Sequence, residues 1–124
     1  MSKCLSHNRL KQLNSTIFND LLNLTEIELS NNQIIKIDNL FDNNLKLKYL
    51  YLKRNKIKSV NFRLLSKLVN LNRLELDHNR IKDIDINEVN HLMCCAGNIS
   101  LCALGNIPTR ITPIDMFYSN NKCL

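Results

Sequence analysis

The chain has 124 residues, 44% of them hydrophobic, and its lysines and arginines outnumber its acids to give a net charge of +6. That is enough apolar material for one core, and two glycines and two prolines are too few to make a flexible linker and a second domain before residue 92. No run approaches the ~18 apolar residues of a membrane helix. No glycine-rich phosphate loop, G-x-S-x-G elbow or H-E-x-x-H helix is present either, so the composition points away from enzymes, with no cofactor and no metal implied.

Met1-Ser2-Lys3-Cys4 opens the chain with no charged segment followed by a long apolar run, so no signal peptide is visible. No polar cap precedes the first apolar pattern, and repeat stacks normally need one. The expectation is therefore a piece of something longer. Leu5-x-x-Asn8-x-Leu10 gives half of a pattern that then returns complete. The full copies read Leu24-x-x-Ile27-x-Leu29-x-x-Asn32-x-Ile34, Leu47-x-x-Leu50-x-Leu52-x-x-Asn55-x-Ile57 and Leu71-x-x-Leu74-x-Leu76-x-x-Asn79-x-Ile81. Asn8, Asn32, Asn55 and Asn79 thus recur at spacings of 24, 23 and 24 residues.

Each Leu-x-Leu alternation predicts a short strand with its apolar side chains on one face. One such strand cannot bury that face alone, so copies stack in parallel and share a continuous core. The chain then turns sharply and leaves buried amides and carbonyls. An asparagine amide both donates and accepts, so a stacked column of asparagines would satisfy them, a structural role rather than a catalytic one. Between the asparagines, Phe18 with Leu21, Leu65 with Leu68, Val89 with Leu92 and, more loosely, Phe41 with Leu45 are expected to form a second apolar layer.

The L-x-x-L-x-L-x-x-N-x-L pattern resembles the leucine-rich repeat over roughly residues 5–92, in the longer repeat type common in extracellular proteins. The resemblance implies an α/β solenoid with a short parallel β-sheet on its concave face and an irregular or 3-10 convex side. On this reading residues 1–92 are leucine-rich repeats, one partial and three complete, and residues 93–124 form a C-terminal cap or hinge-like segment.

After Leu92 the register is expected to fail. Continuing it would put Asn98 and Ser100 at core positions and Ala103 in the asparagine column. Cys94, Cys95, Cys102 and Cys123 lie there instead and are candidate disulfide cysteines, which would mean an oxidising compartment. Zinc held by His91, Cys94, Cys95 and Cys102, without paired C-x-x-C knuckles, and free thiols in a cytosolic protein are the other readings. Cys4 should face outward about four strands from this group, roughly 19 Å away and beyond disulfide reach. His91-Leu92-Met93-Cys94-Cys95-Ala96 is similar to the double-cysteine start of the hinge in glycoprotein-hormone and relaxin-type receptors, which are leucine-rich-repeat G-protein-coupled receptors. Arg110-Ile111-Thr112-Pro113-Ile114-Asp115-Met116-Phe117 resembles the segment leading to their first membrane helix, although Arg110 stands where glycine is expected and no membrane helix follows. That resemblance implies a hormone-binding ectodomain.

Function is expected on the concave face, at positions such as Thr25, Glu26, Glu28 and Ser30, then Lys48, Tyr49, Tyr51, Lys53 and Arg54, then Arg73, Glu75 and Asp77. Tyr49, Tyr51, Lys53, Arg54, Lys48, Arg73, Glu75 and Glu28 form the expected partner-binding set, the two tyrosines amid cations. The same tyrosines are also good strand formers, which would account for them without any partner. Between Asp42 and Glu75 there are nine lysines and arginines and no acid. This basic band suits an acidic protein or peptide, or a sulfated glycan, or simply keeps the surface solvated; no nucleic-acid module is seen. Two functions follow: an extracellular ligand-binding module, a fragment of a receptor ectodomain at the cell surface, or an intracellular, cytoplasmic scaffold or regulatory subunit.

Overall fold

The computed structural model describes residues 1–82, 84, 85, 87–89, 92 and 99–102. Five three-residue strands form one parallel sheet in chain order: β1 (Ser2–Cys4), β2 (Glu26–Glu28), β3 (Tyr49–Tyr51), β4 (Arg73–Glu75) and β5 (Ser100–Cys102). Each strand is the middle of a repeat, and the register pairs equivalent residues: Lys3, Ile27, Leu50, Leu74 and Leu101 share one row. Ile27, Leu50 and Leu74 in that row are fully buried, because alternation turns every second side chain inward. Lys3 occupies the row's first place and is exposed. The ladder runs on past the strands, with the Leu29 amide donating to the Tyr51 carbonyl at 2.8 Å and the Leu52 amide to the Glu75 carbonyl at 2.9 Å.

The sheet does not stop with the third complete copy. β5 pairs with β4 in register, Leu74 beside Leu101, and both Ile99 and Leu101 are 2% exposed. The offset is 27 residues rather than 24, so continuing the earlier spacing looks for core residues in the wrong place. β5 thus lies within the segment expected after Leu92. The rest of the segment, including Cys94, Cys95, Cys123 and most of the residues that carry the receptor-hinge resemblance, lies outside the described residues, and of Cys102 the backbone alone is described.

The asparagine column closes the turns. Asn55 Nδ2 donates to the Leu52 carbonyl of its own turn (3.1 Å) and to the Leu29 carbonyl of the preceding one (2.9 Å), and its Oδ1 accepts from the Ile34 amide at 3.0 Å. Asn32 and Asn79 repeat this arrangement, and all three are buried. Asn8, at the end of the stack, is exposed and bonds to the Leu5 and Ser6 carbonyls of its own turn. The residue before each asparagine, in order His7, Asn31, Arg54 and His78, holds φ between 55° and 59°. This left-handed step turns the chain out of the strand direction.

Behind the sheet, turns in the first two repeats and helix α1 (Phe62–Leu65) in the third carry the second layer. Phe18 and Phe41 stack with centroids 5.8 Å apart and planes within 8°. Leu45 is not in this layer: it is 52% exposed, and Asn44 is fully buried in its place. Strict spacing explains the correction, since Asn44 follows Phe41 by the three residues that separate Leu21 from Phe18 and Leu68 from Leu65. Asn44 Nδ2 donates to the Phe18 and Leu21 carbonyls at 2.9 and 3.1 Å, while its buried Oδ1 has no partner.

Candidate protein-binding face

The sheet register builds two rows on the solvent-facing side. Glu26, Tyr49 and Arg73 stand side by side in one, and Glu28, Tyr51 and Glu75 in the next. Tyr49 and Tyr51 point the same way because they are two residues apart on β3. Their rings are parallel within 5°, with centroids 6.5 Å apart. Tyr49 is exposed and Tyr51 half-buried. Burial first, and then the Glu26 and Glu75 carboxylates, pushes the Tyr51 phenol above its usual range.

The charges around this pair differ from the sequence expectation. The row neighbours of the tyrosines include Glu26, Glu28 and Glu75, and the one cation among them, Arg73, is bound to Glu75 through Nε and Nη2 at 2.8 and 2.7 Å. Glu28 Oε1 accepts from the Ser30 amide at 2.7 Å. Lys48 precedes β3 and is exposed, while Lys53 and Arg54 follow it, half-buried and exposed. The cations therefore flank the strand ends and the carboxylates line the middle. Linear sequence counts charges along the chain, whereas the tyrosines meet residues from strands 23 or 24 positions away. Ser30 and Asp77, expected to face solvent, are 7% and 9% exposed.

Elsewhere, Cys4 is an exposed free thiol at the edge of the sheet, and hydrogen bonds from Ser6 hold it below its usual pKa range. His7 and His78 are both exposed, three repeats apart, on the left-handed turns. Among the described residues no group of three or more His, Cys, Asp and Glu could hold a metal, and no helix is long and apolar enough to cross a membrane.

Comparison with known proteins fits this geometry. Residues 38–81 match the leucine-rich repeat family model. No curated protein matches in sequence. Among solved structures, an internalin (inlF) from Listeria monocytogenes is 28% identical with a TM-score of 0.73, covering 94% of this chain and 32% of the internalin. The leucine-rich repeat domain of APL1B is 16% identical with a TM-score of 0.75, covering 86% of this chain and 32% of that domain's chain. The protein spans about a third of the length of either structure. The matched segment is leucine-rich repeat, and the described chain as a whole has the leucine-rich-repeat fold.

Proposed function

We propose that the protein is a protein- or peptide-binding module whose partner sits on the solvent-facing side of the sheet, centred on Tyr49 and Tyr51. The parallel tyrosine pair carries this reading: two large side chains lie together on an open face that the core does not need. Tyrosine is one of the residue types enriched at the hot spots of protein interfaces. Lys48, Lys53 and Arg54 have no ion-pair partner among the described residues, so acidic groups of the ligand meet them at the strand ends while an apolar or aromatic group covers the rings. A sulfated glycan would meet the same cations.

The test is selection from a library of unstructured peptides, with the Tyr49→Ala/Tyr51→Ala variant as counter-screen. Peptides that bind the wild type and fail on the variant support the reading; peptides indifferent to it place the site elsewhere. For a selected peptide, Tyr51→Ala should speed dissociation and cost about 2 kcal/mol if it is an anchor. Lys53→Ala should slow association and flatten the salt dependence.

The receptor-hinge resemblance and the cysteines after Leu92 support placing the module in an extracellular receptor ectodomain of G-protein-coupled type. The exposed free thiol of Cys4 favours the second reading, a scaffold in a reducing compartment. Mass measured without reduction separates them: disulfides among Cys94, Cys95, Cys102 and Cys123 for the first, five free thiols for the second.

A further inference from the structure

Three exposed aliphatic side chains stand in one column where the chain climbs toward the strands. Leu22, Leu45 and Val69 are 60%, 52% and 58% exposed and lie 23 and 24 residues apart. Each follows a second-layer residue (Leu21, Asn44, Leu68) and comes two positions before a fully buried leucine (Leu24, Leu47, Leu71). None of the three belongs to the core, so packing does not explain an aliphatic residue at the same exposed place in three successive repeats. The repeats are tied together at this edge: Lys46 Nζ donates to Asn23 Oδ1 at 2.8 Å, and Asn70 Nδ2 to the Leu45 carbonyl at 2.9 Å. Met93 continues the column in sequence and lies outside the described residues.

Charge and pitch say what fits there. Lys46 and Lys67 border the column, both exposed and without an ion-pair partner among the described residues. The acids nearest in sequence are Asp20 and Asp42, two residues before Leu22 and three before Leu45, and none lies as near Val69. Parallel strands repeat at ~4.8 Å. The apolar seam of an amphipathic helix, at i, i+3 or i+4, and i+7, advances about 5 Å per step. Same-face residues of an extended strand advance about 6.6 Å and fall out of step with the column. We propose that Leu22, Leu45 and Val69 form a docking strip for an amphipathic α-helix of a protein partner, laid along the stack, with acidic residues flanking its seam. The strip is separate from the tyrosine face and does not depend on that reading.

A display library built on a helical scaffold, selected on the intact protein, tests this. Winners should carry aliphatic residues at i, i+3 or i+4, and i+7 with acids beside them. Leu45→Glu should weaken them by at least about tenfold, the scale of losing one buried leucine. Lys46→Glu/Lys67→Glu should switch preference to winners whose acids are replaced by lysine, and Tyr49→Ala/Tyr51→Ala should change nothing. Because the strip is exposed, thermal midpoints of these variants should stay near that of the wild type. Winners that ignore Leu45→Glu, winners without acids, or no winners would overturn the proposal. So would a concentration-dependent dimer, or binding to phosphatidylserine vesicles, abolished by Leu45→Glu while no helix binds.

Discussion

Asn55→Ala isolates what one asparagine of the column contributes. The truncation removes donors to the Leu29 and Leu52 carbonyls and the acceptor for the Ile34 amide. The carbonyls are insured by the stack: Asn32 Nδ2 still donates to Leu29 at 3.0 Å and Asn79 Nδ2 to Leu52 at 2.9 Å. The Ile34 amide has no such substitute and sits in a residue with 0% exposure. One buried amide left unpaired costs about 1–3 kcal/mol. We expect about 2 kcal/mol in all, well short of three full penalties, measured by chemical denaturation followed by circular dichroism. Asn8→Ala is the internal control, since Asn8 is exposed and bonds within its own turn. It should cost less than about 0.5 kcal/mol, as surface changes do. Equal losses for the two variants, or an unchanged midpoint for Asn55→Ala, would refute the reasoning.

Three further outcomes are expected. Asn44→Leu should not lower the denaturation midpoint: it removes an unpaired buried oxygen, and the Phe18 and Leu21 carbonyls keep the Leu21 and Leu24 amides as donors at 3.0 and 3.1 Å. Arg54→Gly should leave stability unchanged or raise it by up to about 1 kcal/mol, because glycine removes the left-handed strain at φ 55° while costing some unfolded-state entropy. Arg54→Ile should lower the same midpoint by more than about 1 kcal/mol, a β-branched side chain being least tolerant there. Tyr51 should ionise above its ordinary value of 10.0, read as the difference in ultraviolet titration between wild type and Tyr51→Phe. The native state then holds this proton where the unfolded state has lost it, so the contribution to stability is complete below the ordinary value and falls as pH rises past it. A phenolate midpoint at or below that of an unfolded control would contradict the burial and the neighbouring carboxylates.

The repeat period was legible in the sequence because stacking forces it: identical inward positions must recur wherever one strand's apolar face is completed by the next. Alternation placed Ile27, Leu50 and Leu74 in the core, and the same argument put the asparagines at the turns, where the structure finds them bonded between adjacent repeats. What stayed illegible lay where local pattern and stacking disagree. Leu45 reads as the more apolar of two neighbours, yet the spacing from Phe41 buries Asn44 and leaves Leu45 outside. Leu101 escapes a fixed period because a longer connection shifts it, and pairing with Leu74 is what recovers the register. The charges around Tyr49 and Tyr51 could not be read along the chain at all. Lys48, Lys53 and Arg54 are neighbours in sequence, but hydrogen bonding between strands brings Glu26, Glu28 and Glu75 beside the rings. Periodicity carries the fold because every repeat obeys the same constraint, whereas the face presented to a partner is assembled across repeats from positions the core leaves unconstrained.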